Sequence, residues 1–124
     1  MANPRPKYLD LIQIHLPIPG IVSILHRISG AVLFLCLPLL LYLFQRSLTT
    51  PAEFSTLLGK IGNPIAKVML IGLLWAFLHH LCAGIRHVLL DLDIGTELLA
   101  ARLSSKLVLA ISMALTVVAG ALLW

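Results

Sequence analysis

The chain has 124 residues, of which 60 % are hydrophobic and 11 % charged, and its mean hydropathy is +1.03. That composition excludes an ordinary soluble domain and indicates an integral membrane protein. The formal charge of +4 comes from nine Lys and Arg against five acids. Most of the basic residues sit beside or just inside apolar runs, a pattern of membrane topology and lipid-headgroup contact rather than of nucleic-acid binding.

The length accommodates a single all-α membrane-anchor domain, 1–124, with three spans at about 20–48, 64–92 and 104–124. Residues 1–20 mix Arg5, Lys7 and Asp10 with Leu9, Leu11, Ile12 and Ile14 and carry Pro4, Pro6, Pro17 and Pro19. They predict an amphipathic or irregular interfacial arm, without a cleavable signal peptide or an Arg- and Ser-rich presequence. The first span is uninterrupted in apolar residues from Ala31 to Phe44, with Pro38 as a tolerated kink. Thr50-Pro51-Ala52-Glu53 has the form of a capping box and predicts a short amphipathic helix using Phe54, Leu57 and Leu58. Gly62-Asn63-Pro64 ends it, and Asn63 is placed to cap the second span. Asp93, Gly95 and Glu97 mark the second loop.

The third span carries Ser112, Thr116 and Gly120 at every fourth position. Such a stripe either packs on a neighbouring helix or is an incidental part of a lipid-facing surface. Cys36 and Cys82 fall inside spans without CxxC or CxxCH spacing, and read as small packing residues. The distribution of Lys and Arg favours a cytoplasmic amino terminus and an outer-face carboxyl terminus in a bacterial inner membrane.

This topology puts the start of the first span and the end of the second on the same side. Ser23, His26, Arg27 and Gly30 are spaced i, i+3, i+4 and i+7, one face of a helix. His80, Gly84, His87 and Asp91 are spaced i, i+4, i+7 and i+11, again one face, with Arg86 beside it. Ionisable groups among lipid tails mark function by default. A haem accounts for the set: His80 as an axial ligand, Gly84 leaving room for the macrocycle, and Arg27, Arg86 and His87 pairing with propionates. On spacing alone, histidines that only bond between helices account for it equally well. His79 points about 100° away from His80 and cannot ligate the same iron. It reads instead as bonding across to another helix. A second axial ligand, in a six-coordinate haem, comes from another polypeptide. Ser23 and Arg27 suit a quinone carbonyl oxygen that gains negative charge on reduction, while a helix-start serine and a snorkelling arginine are the plain alternative.

Two other readings are open at this stage. A small transporter or proton relay would use His26, His80, His87 and Asp91, but needs further polar residues toward the outer face, where the outer half of the first span and the third span have almost no ionisable groups. A haem-free structural anchor is the other.

The run Ser23-Ile24-Leu25-His26-Arg27-Ile28-Ser29-Gly30, followed by His80-Leu81-Cys82-Ala83-Gly84-Ile85-Arg86-His87 and Asp91, closely resembles the cytochrome b membrane-anchor subunits of succinate dehydrogenase. The likeness extends to Arg5-Pro6, Leu9-Asp10-Leu11 and the terminal tryptophan. It implies a non-autonomous subunit of respiratory complex II with no catalytic residue of its own for succinate oxidation. The implied cofactor is haem b, ligated at His80 and shared with a second small anchor subunit. The implied substrate is ubiquinone, contacted at Ser23 and Arg27. His26, Gly84, Arg86 and His87 match haem-propionate positions or surroundings, and Asp91 matches the subunit interface. FAD and iron-sulfur clusters are implied only in the flavoprotein and iron-sulfur partners.

Overall fold

A computed structural model describes residues 15–124. The expected amino-terminal arm falls largely on residues 1–14, outside the described residues. Four helices follow in chain order: α1 (Ile18–Ser47), α2 (Pro51–Ile61), α3 (Pro64–Asp91) and α4 (Leu98–Leu123). α1, α3 and α4 have 30, 28 and 26 residues and are each long and apolar enough to cross a membrane. At the helical rise they extend about 39–45 Å, more than a hydrocarbon core of about 30 Å, so they cross with tilt or project into the headgroups.

Local chemistry explains each boundary. α1 starts without a side-chain cap, and the Pro17 carbonyl accepts from Gly20 N at 2.9 Å and Ile21 N at 3.2 Å. The helix continues through Pro38, whose ring leaves the Phe34 carbonyl without its usual donor. Thr50 caps α2 by accepting from Glu53 N at 3.2 Å. The Glu53 carboxylate pairs with Arg46 at 2.7 Å, so the end of α1 is tied to the start of α2. Asn63 Oδ1 caps α3 at Ile65 N, 2.8 Å away, with Pro64 as the first helical residue.

α3 ends in a Schellman motif. Asp93 takes the left-handed position at φ 60°, Ile94 N donates to Leu89 O at 2.9 Å, and Asp93 N donates to Leu90 O at 3.0 Å. α4 begins at Leu98, ahead of the apolar run expected from 104, because Leu98–Lys106 continues the same helix as a polar-flanked approach to the span.

α3 packs against both α1 and α4, and α1 and α4 also touch. The buried interior is built of small and polar residues. Val22, Ala76, Ala83 and Val108 are its buried apolar members, and Ser29, His79, Arg86, Ser105, Ser112 and Thr116 its polar ones. Large side chains such as Phe34, Leu35, Phe77, Leu115 and Leu122 face outward. This is the packing expected where lipid is as apolar as leucine and close backbone approach, not hydrophobic exclusion, holds helices together. The stripe on α4 is resolved in the same sense: Ser112 and Thr116 are buried against the bundle, and Gly120 is half-buried.

Candidate functional site

The beginning of α1 and the second half of α3 meet through their histidines. The His26 and His80 rings stack with centroids 4.2 Å apart and planes inclined by 8°. His87, two turns along α3, tilts onto the other part of His26 at 4.9 Å and 49°. The three imidazoles expected from two separate sequence segments therefore form one cluster. Parallel stacked rings direct their nitrogen lone pairs in the ring planes, so His26 and His80 cannot converge on one small metal ion. Among the described residues there is also no group of three or more His, Cys, Asp or Glu side chains placed to hold one.

The setting of His80 is specific. Its Nδ1 lies 3.0 Å from the backbone oxygen of His26 and 3.2 Å from Ser29 Oγ, while Ser29 Oγ donates to that same oxygen at 2.9 Å. A carbonyl oxygen only accepts, so Nδ1 carries the proton and Nε2 is the nitrogen with a free lone pair. Among the described residues Nε2 has no hydrogen-bond partner. His80 also lines an open groove of about 340 Å³ with Leu81, Gly84, Ile85, Val88 and Leu89. Apart from the imidazole, that wall is apolar.

Gly30 makes the closest backbone approach to the His80 ring. A Cβ built on it would lie 2.7 Å from His80 Cε1 and 3.2 Å from Nδ1, closer than a ring can tolerate. A Cβ on Gly84 would meet His26 Nε2 at an ordinary 3.5 Å. Sequence spacing puts Gly30 on the right face but assigns it no task, and leaves Ser29 unused. The signal available for both was their position three and four residues after His26, within reach of its carbonyl.

Other sequence candidates are dispersed. Arg86 is buried and turns away from the histidines toward α4, where Nε donates to Ser104 Oγ at 2.9 Å and Nη2 to Ala101 O at 3.2 Å. Arg86 therefore forms an interhelical clamp to α4, since it sits about 100° round the helix from His87. Ser23 is half-buried and Arg27 exposed, one turn apart on α1, and Asp91 is exposed at the last turn of α3. His79 is fully buried and stacks on Trp75 at 5.2 Å. It lacks the interhelical hydrogen bond expected for it: the Val22 backbone faces the ring, but neither nitrogen has a partner in hydrogen-bonding geometry among the described residues. Cys36 and Cys82 are free thiols, and Cys82 packs beside Val22, Ala83 and Val108.

Residues 1–119 match the model of a family described as the succinate dehydrogenase/fumarate reductase transmembrane subunit. A succinate dehydrogenase cytochrome b556 subunit from Coxiella burnetii is 40 % identical over 100 % of both chains. Similar subunits from Paracoccus denitrificans (32 % identical, over 91 % of this chain and 87 % of the relative) and Rickettsia bellii (33 %, over 98 % and 92 %) also align.

Proposed function

This chain belongs to the succinate dehydrogenase/fumarate reductase transmembrane subunit family, and on that premise we propose that it binds haem b through His80 and helps form the site of quinone reduction. The observation that carries the haem reading is the 3.0 Å approach of His80 Nδ1 to the His26 backbone oxygen, from which the tautomer of that imidazole follows. Its Nδ1 proton is held by the α1 backbone at His26, and an imidazole anchored at one nitrogen presents the other as a neutral ligand. The apolar groove beside it fits the face of a macrocycle, so the residues present suit the group. A haem bound there supplies a one-electron carrier within the membrane.

The chain's own residues divide the remaining work. His80 would hold the iron through Nε2. His26 braces the His80 ring by stacking, and His87, tilted against His26, would donate a hydrogen bond to a propionate, with Arg86 among the surroundings. A haem held in the open groove would also be held by a second small anchor subunit, to which we assign a further ligand. On the exposed start of α1, Ser23 donates a hydrogen bond to a ubiquinone carbonyl oxygen, and Arg27 stabilises the negative charge that builds there. Asp91 is left free for the iron-sulfur subunit, which with the flavoprotein holds the clusters and FAD. The start of α1 and the end of α3 then face the cytoplasm.

The test is a reduced-minus-oxidised spectrum of the intact complex. A b-type signal in the wild type and its loss in His80→Ala are expected; an unchanged signal in that variant refutes the assignment.

A further inference from the structure

We infer that Ser29 and Gly30 are positioning residues for His80, acting together as the seat that sets the ring's place and the tautomer it presents. The inference rests on the haem reading of His80 given above.

Two independent features carry it. The first is steric. The His80 ring occupies the volume that any side chain at position 30 would fill, with the added Cβ 2.7 Å from Cε1. In a helix, the residue four positions on normally screens the carbonyl of residue i. With glycine at position 30, the His26 carbonyl is open to a group arriving from α3. The second is hydrogen bonding. The hydroxyl of buried Ser29 stands 3.2 Å from Nδ1 and 2.9 Å from the His26 oxygen, so the Nδ1 proton is shared between two acceptors on α1. An acceptor at Nδ1–H increases electron donation from Nε2, the kind of outer interaction that tunes a metal and its affinity by about 10–100-fold. The three residues His26, Ser29 and Gly30 thereby couple helix packing to ligand orientation: α1 cannot move against α3 without changing the aim of His80.

The experiment uses the complete complex in membranes, with haem content by extraction, the low-spin signal by electron paramagnetic resonance, and the haem reduction potential as readouts. Gly30→Ala is expected to lose most of the bound haem or its low-spin signal. Gly72→Ala, whose added carbon meets nothing within 4 Å, is expected to leave both unchanged. Ser29→Ala is expected to retain haem at a raised potential, since Nδ1–H has lost an acceptor and the ligand donates less. Because Gly30→Ala could impair assembly, it is also made in the His80→Ala background. With the ring gone the extra methyl has room, so the double variant should assemble as well as His80→Ala alone. Wild-type haem content and spectrum in Gly30→Ala, an unchanged potential in Ser29→Ala, or an assembly defect that persists in the double variant overturns the inference. Haem retained in His80→Ala refutes the underlying ligand reading instead, and the two failures are thereby told apart.

Discussion

Replacing Arg86 with methionine separates two roles for this buried cation. The substitution keeps an unbranched stem but removes both bonds to α4, from Nε to Ser104 and from Nη2 to Ala101. Interhelical hydrogen bonds inside membranes contribute about 0.6 kcal/mol on average and up to about 1.7 kcal/mol each. Losing two therefore weakens the docking of α4 by about 1–3 kcal/mol, roughly 5- to 150-fold in the docking equilibrium. Ser104 keeps a partner after the change, since its hydroxyl donates to Ala101 O at 3.2 Å, so no orphaned donor adds to the cost. The assay is resistance of the solubilised complex to dissociation by increasing denaturing detergent, measured together with the haem reduction potential. A lowered dissociation midpoint at unchanged potential is expected. A shifted potential with a wild-type midpoint would refute the clamp and return Arg86 to the haem side.

Three further outcomes follow from the same geometry. Arg27→Leu should depress quinone reduction by about 10²-fold, the scale for removing a donor from a developing oxyanion, while succinate oxidation with a soluble artificial acceptor stays near wild type; equal loss of both activities would mean failed assembly. Ser112→Leu should overpack the α4 interface and cost about 1–3 kcal/mol in detergent resistance, whereas Leu115→Ala on the exposed face of the same helix should change it little. Thr50→Ala removes the α2 cap and should speed amide exchange in Pro51–Ile61 by an amount matching about 1 kcal/mol, without altering the haem spectrum.

Local features of the chain were legible because their causes are local. Thr50 and Asn63 cap the helices expected of them, since a short polar side chain before Pro at the first helical position finds its own backbone donor nearby. The two histidine-bearing faces were legible for a similar reason: helical period places His26 with Gly30, and His80 with Gly84 and His87, whatever surrounds them. Half of the capping box does not form, because Glu53 is drawn to Arg46 across the turn, a partner that the four-residue motif does not contain. His79 and Arg86 were harder still. Each is adjacent to a residue of the polar stripe, and adjacency in a helix means divergence by about 100° in space.

The sequence by itself determined the membrane class, the number of apolar helices, their caps and the faces on which polar groups recur, because hydropathy, capping and period depend on residues within a turn or two of each other. The rotation of those faces relative to one another was decided only by the tertiary structure. It stacked His26 on His80, turned Arg86 onto α4, buried the Ser112–Thr116 stripe, and brought Gly30 against the His80 ring. The physical reason is that close helix packing in a membrane depends on where small residues let backbones approach, and that is a property of pairs of helices: the 2.7 Å between a missing side chain on α1 and a ring on α3 belongs to neither segment alone.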